Sequence, residues 1–72
     1  LSVFPNPATD ELALRTDLLW NTCEVTDARG NKVLRCIANG DQNLSVQDLP
    51  AGVYVLRLYG ENGQAMQRFV KL

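Results

Sequence analysis

Short segments in which apolar and polar residues alternate constrain this fold more than any other feature of the chain. The clearest segment runs from Gly52 to Tyr59 and places Tyr54, Leu56 and Leu58 on one face. Successive side chains of a β-strand point to opposite faces of its sheet, so this pattern predicts a strand with one buried face. Shorter segments of the same kind lie at residues 3–4, 11–16, 22–27, 31–38, 43–46 and 64–71.

Alternation in the shorter segments identifies the candidate core. It places Leu12 and Leu14, Cys23 and Val25, and Leu44 and Val46 on one face each, while the segment 31–38 contributes Val33, Leu34 and Ile37. Turn signals such as Asn39-Gly40-Asp41 and Glu61-Asn62-Gly63 separate the segments at intervals of about 8–12 residues. We therefore predict an all-β fold, a small Ig-like or fibronectin-like antiparallel β-sandwich of about seven strands, formed by a single domain over residues 1–72.

The charge of the chain excludes some classes of partner. The chain has 7 Lys and Arg, 8 Asp and Glu and no His, which gives a net charge of -1. The basic residues are scattered along the sequence, so we expect no nucleic acid and no anionic membrane surface as a partner. No apolar run approaches the roughly 20 residues that a membrane-spanning helix needs, so we expect no direct membrane insertion. Because the chain starts without Met and shows no signal peptide, we expect a piece of a longer protein.

The two cysteines, Cys23 and Cys36, flank a turn whose register decides whether they pair. A two-residue loop at Arg29-Gly30 would place Cys23 opposite Cys36 and allow a cross-strand disulfide. Asp27 and Gly30 occupy the first and fourth positions of a type I turn, however, which favours a three-residue loop with Gly30 in a left-handed bulge. Cys23 would then face Arg35, so we expect the thiols to point to opposite faces, with the disulfide as the alternative.

Two motifs have structural explanations. Leu49-x-x-Gly52-x-Tyr54 is typical of a tyrosine corner, in which the hydroxyl bonds to upstream backbone, and we expect Gly52 to supply a positive φ. Pro5-Asn6-Pro7 either bends the first strand from one sheet to the other or presents a rigid recognition loop. We favour the bend.

Catalytic groups are not recognisable in the sequence. Most carboxylates lie at turns, and Ser2 and Ser45 have no histidine to activate them. The segment 39–43 lacks the alternating acids and the closing Glu of a calcium loop, and two thiols without histidine make a poor metal site. We therefore expect neither an enzyme nor a metal or other cofactor. For Trp20 and Tyr59 we favour a core or edge-covering role over a sugar-binding one.

Five motifs in a fixed order carry a resemblance to a known family. They are Phe4-Pro5-Asn6-Pro7-Ala8, the pair Leu12 and Leu14, Val25-x-Asp27-x-x-Gly30-x-x-Val33, Leu49-x-x-Gly52-x-Tyr54, and the final Phe69-Val70-Lys71-Leu72. Together they resemble the type A C-terminal sorting domain of the type IX (Por) secretion system of Bacteroidetes. The resemblance covers essentially the whole chain, and it implies a seven-stranded Ig-like sandwich.

This resemblance implies a secretion signal. Such domains sit at the end of secreted cargo, are carried from the periplasm across the outer membrane, and are removed by a sortase-like cysteine peptidase. The implied partners are the type IX translocon, its shuttle proteins and that peptidase. The implied location is the periplasm in transit, and then the cell surface or the extracellular space.

Physical reasoning places the recognition element in the last strand. The edge of that strand can pair with a partner strand, or its C-terminal carboxylate can be captured by backbone amides, so Phe69-Val70-Lys71-Leu72 is the expected main contact. Gly52, Tyr54 and Pro5-Asn6-Pro7 complete the candidate recognition residues. Exposed edges also predict a weak homodimer. The alternatives are a fibronectin-like accessory module that binds sugar or protein, which predicts an exposed aromatic strip, and a spacer without a partner.

Overall fold

In the part of the chain that the structure describes, seven antiparallel strands in two sheets confirm the predicted all-β sandwich. A computed structural model describes residues 1–38 and 42–72. The strands are β1 (Ser2–Phe4), β2 (Glu11–Arg15), β3 (Thr22–Asp27), β4 (Lys32–Ile37), β5 (Asn43–Ser45), β6 (Gly52–Gly60) and β7 (Gly63–Lys71). One sheet has the order β1-β2-β5 and the other the order β4-β3-β6-β7. The predicted turn at 39–41 lies outside the described residues.

The core lies between the two sheets and is built from the predicted alternation. Leu12, Val25, Leu56 and Leu58 have no exposed surface, and Tyr54 and Leu14 are 5% exposed. In β4 the inward residues are Leu34 and Cys36, whereas Ile37 is 77% exposed. The segment 18–20 forms no strand and packs Leu18 and Trp20 against this core.

The expectation of unpaired thiols is wrong. Cys23 and Cys36 lie directly opposite each other and form a disulfide, with their Cα atoms 5.1 Å apart. The predicted turn is nevertheless present, because Gly30 has a φ of 89° and its N–H donates to the carbonyl of Asp27 at 3.0 Å.

A β-bulge reconciles the turn with the disulfide. Thr26 pairs with Lys32 next to the turn, but Val25 pairs with Leu34, so Val33 is an extra residue in β4. One extra residue shifts the register of the rest of the hairpin by one position and moves Cys36 to the face of Cys23.

The predicted tyrosine corner is confirmed, but the predicted role of Gly52 is wrong. The Tyr54 hydroxyl donates to the carbonyl of Pro50 at 2.6 Å. Among the described residues only Gly30 and Gly63 have a positive φ, so Gly52 begins β6 in an ordinary strand conformation. A β-carbon at Gly52 would lie 3.8 Å from the Tyr54 ring, which is an ordinary contact.

Two classes of feature are absent from the described ranges. Residues 1–38 and 42–72 contain no helix long and apolar enough to cross a membrane. The same residues contain no group of three or more His, Cys, Asp or Glu side chains that could hold a metal ion.

Candidate functional site

The first and last motifs of the chain meet on one edge of the four-stranded sheet. Ala8 forms a parallel bridge with Lys71, donating its N–H to the carbonyl of Val70 at 2.7 Å. The carbonyl of Ala8 accepts from the N–H of Leu72 at 2.9 Å. The side-chain Oδ1 of Asn6 accepts from the N–H of Val70, also at 2.9 Å. We call these contacts of Asn6 and Ala8 with residues 70–72 the clasp.

The sequence of the Pro-Asn-Pro segment explains the clasp. Strand β1 belongs to the three-stranded sheet, whereas Ala8 bonds to the four-stranded one, so residues 5–7 cross between the sheets. This confirms the predicted bend. Pro5 and Pro7 have no N–H to satisfy, and they hold the backbone in a fixed conformation that presents the Asn6 amide to β7. Both prolines follow cis peptide bonds.

The clasp fixes which backbone groups of β7 remain available. Both polar backbone groups of Val70 bond to the clasp and therefore point away from β6. In an antiparallel ladder, the N–H and the C=O of every second residue of a strand point to the same side of that strand. Gln64, Met66 and Arg68 thus direct their backbone groups away from β6, to the edge where the described chain provides no partner strand. We call residues 64–68 of β7 the open edge.

One side chain partly covers the open edge. The Gln67 Nε2 donates to the carbonyl of Arg68 at 3.1 Å. The clasp and this contact lie at the same end of β7, so the N–H groups of Gln64 and Met66 are the most accessible donors of the edge.

The structure changes the expected role of the segment 69–72. Phe69 has no exposed surface and stacks on Tyr54, with ring centroids 5.6 Å apart. Lys71 is only 9% exposed, and its Nζ donates to the backbone oxygen of Leu72 at 3.1 Å. Val70 is half-buried, and Leu72 is 65% exposed. The Phe69 side chain therefore cannot be a direct contact in the folded domain; it anchors β7 to the core.

The outer face of the same sheet carries a small polar network. The Tyr59 hydroxyl donates to Glu24 Oε1 at 2.8 Å, and Lys32 Nζ lies 3.6 Å from Glu24 Oε2. The hydrogen bond from Tyr59, assisted by the charge of Lys32, holds the pKa of Glu24 below its usual value. Arg57 donates to the Thr26 hydroxyl at 2.9 Å.

Among the described residues, Trp20 and Tyr59 do not form an exposed strip of the kind that an accessory sugar-binding module predicts. Tyr59 is partly buried on the outer face and engaged with Glu24, while Trp20 is partly buried against the core. Trp20 therefore has the core role favoured from the sequence, whereas Tyr59 lies on the outer face of an interior strand and has neither a core nor an edge-covering role.

Comparison with protein families decides the identity. The model of the family described as "Secretion system C-terminal sorting domain" matches residues 2–72. The chain belongs to this family. The match spans the sorting domain from β1 to the end of the clasp, and it confirms the resemblance to type IX sorting domains of Bacteroidetes. A search of curated proteins gave no match.

Family membership supplies the general function of the sorting domain. It is a C-terminal sorting signal for type IX secretion, which directs export to the cell surface or the extracellular space. The family is not a catalytic one. Its members interact with the type IX secretion machinery.

Sequence reasoning missed two parts of this site. It identified Asn6 as part of a bend or a recognition loop, but not as a hydrogen-bond acceptor for Val70, and it assigned no role to Met66 at the open edge. No local pattern could have revealed the first contact, because Asn6 and Val70 are 64 residues apart.

Proposed function

We propose that the export machinery reads the sorting domain at the open edge, by adding a strand of the translocon or of a shuttle protein beside β7. Unpaired backbone groups at a sheet edge are the usual donors and acceptors for strand addition. The observation that carries the proposal is that Val70 fixes the direction of the outward-pointing groups of Gln64, Met66 and Arg68. The exposed side chain of Leu72, whose N–H belongs to the clasp, adds an apolar contact at the end of the edge.

The other candidate recognition residues act as positioning residues in this proposal. Pro5, Asn6 and Pro7 hold the end of β7, while Tyr54 holds its core face through Phe69 and the bond to Pro50. Because its end is already held, β7 loses less conformational entropy on pairing with a partner strand than a mobile edge would.

The proposed test separates the backbone from the side chain at Met66. The M66P variant removes an N–H that points away from β6, so the ladder between β6 and β7 is retained. The M66A control also removes the side chain but keeps that N–H. Fused to a secreted reporter, M66P should reduce export by about tenfold or more, which corresponds to about 1.4 kcal/mol of lost binding, while M66A should be exported like the parent. Thermal melts of the isolated domains establish that both are folded.

Equal export of the folded M66P and M66A fusions would contradict recognition through the open edge. A second copy of the domain is the competing occupant, as the predicted weak homodimer requires. Sedimentation at increasing concentration tests it. A dimer that M66P abolishes, combined with unchanged export, would assign the edge to self-association.

We also propose that the cargo passes through the periplasm and that a sortase-like cysteine peptidase removes the sorting domain at the surface. Membership of the sorting-domain family supports this proposal. Mass spectrometry of the exported reporter tests it, since peptides from residues 1–72 should be absent from the surface product and present in the periplasmic form. Intact fusion at the surface would overturn removal.

A further inference from the structure

The outer face of the four-stranded sheet gathers basic residues that are scattered in the sequence. The strand registers align Arg35, Glu24, Arg57 and Met66 in one row across the sheet. They align Lys32, Thr26, Val55 and Arg68 in a neighbouring row. Among the described residues, the outward positions of these strands therefore carry four of the seven Lys and Arg against a single acid.

The single acid of this face is already engaged. Glu24 accepts from Tyr59 and lies beside Lys32, as described above. Arg35 and Arg68 are exposed, and the described part of the chain gives neither of them an ion-pair partner. The face thus has a net positive charge although the whole chain has a net charge of -1. Guanidinium groups suit carboxylates because the two planar groups can form paired hydrogen bonds.

Exposed aliphatic side chains lie among these cations. Ile37 is 77% exposed on β4, Met66 is 61% exposed on β7, and Val53 is 42% exposed on β6. Arginine and methionine are both enriched in protein interfaces. A polyanionic glycan would neutralise the arginines but would leave these aliphatic groups without a partner, so the mixture favours a protein.

We propose that this outer face is a second docking surface, which binds an acidic protein segment that also carries aliphatic side chains. Its carboxylates pair with Arg35 and Arg68, and its aliphatic groups cover Ile37 and Met66. The surface shares Met66 and Arg68 with the open edge, but it uses their side chains rather than their backbone groups and extends across the sheet to β4 at the opposite edge. The proposal does not depend on strand addition at β7.

A titration of the ¹⁵N-labelled domain with a soluble synthetic peptide of alternating Glu and Leu tests this surface. Chemical-shift changes should saturate and should be confined to outward residues of β3, β4, β6 and β7. The double variant R35E/R68E should weaken binding by about tenfold or more, through lost pairing and added repulsion. The control R15E/R29E makes the same change in net charge away from this face and should bind within about twofold of the parent.

Further variants and a polyanion probe distinguish binding at the outer face from binding at the open edge and from nonspecific attraction of anions. The I37S variant changes the strand farthest from the open edge and should lower the affinity for the peptide severalfold. The M66P variant should bind the peptide no more weakly than M66A. Dextran sulfate is the polyanion probe. Binding that does not saturate would overturn the proposal, and so would equal losses of affinity in R35E/R68E and R15E/R29E. The proposal would also be wrong if I37S bound the peptide as tightly as the parent while dextran sulfate displaced the peptide.

Discussion

Replacing Asn6 by alanine is the sharpest test of the clasp. The substitution removes the Oδ1 that accepts from the N–H of Val70 at 2.9 Å and leaves both hydrogen bonds of Ala8 in place. A net hydrogen bond contributes about 0.5–1.5 kcal/mol, so we expect N6A to lower the free energy of unfolding by about 1 kcal/mol. For a domain of this size, that loss corresponds to a fall in Tm of about 4–8 °C.

The N6D variant is the matched control for this prediction. Aspartate keeps an acceptor oxygen at the same position, so N6D should retain most of the stability that N6A loses. Urea denaturation measures the free energies, and native-state hydrogen exchange locates the change. The amide of Val70 should exchange about fivefold faster in N6A than in the parent, because 1 kcal/mol is about a factor of five in the opening equilibrium.

Two results would refute the reasoning. Equal destabilisation by N6A and N6D would mean that the acceptor oxygen contributes nothing. Unchanged exchange at Val70 in N6A would mean that the amide of Val70 is protected by something other than Asn6.

Three other predictions concern the disulfide, a close backbone approach and one carboxyl group. Reduction should lower the free energy of unfolding by about 3 kcal/mol in urea denaturation, since the disulfide joins residues 13 positions apart, and a variant with both cysteines replaced by alanine should not respond to reductant. G60A should cost about 1–3 kcal/mol, because its β-carbon would collide with the carbonyl oxygen of Leu19, whereas G52A should stay within about 0.5 kcal/mol of the parent; equal losses in thermal melts would contradict this. The stabilisation from Glu24 should be present above its usual pKa of 4.5 and be lost as the pH falls through the lowered folded value, so NMR should give a carboxyl midpoint below 4.5 that rises in Y59F.

The features that could be predicted from the sequence are those that depend on residues close together in the chain. The alternation at Tyr54, Leu56 and Leu58 identified the buried face of β6, since side-chain direction in a strand follows from the backbone alone. The tyrosine corner was equally predictable, because its hydrogen bond joins residues only four positions apart. The type I turn with Gly30 followed from the residues that occupy it.

Features that depend on the rest of the fold were not predictable in this way. Nothing in the sequence of β4 distinguishes Val33 as the bulged residue, and this one position reversed the predicted pairing of the cysteines. The burial of Phe69 and Lys71 depends on β6 and on Ala8, so the segment 69–72 looked like a free recognition element only in isolation. The basic residues are separated along the chain and become neighbours only through strand register.

The span of the clasp has a consequence for the order of folding. A contact between residues 64 positions apart forms only after the chain between them has been brought into place, because the entropy of closing a long loop opposes it until then. A polypeptide interrupted before residue 70 would keep both prolines and Asn6 but would lack the N–H of Val70 to which Asn6 bonds. Only a chain that carries both Asn6 and residue 70 can therefore have the end of β7 held by the clasp.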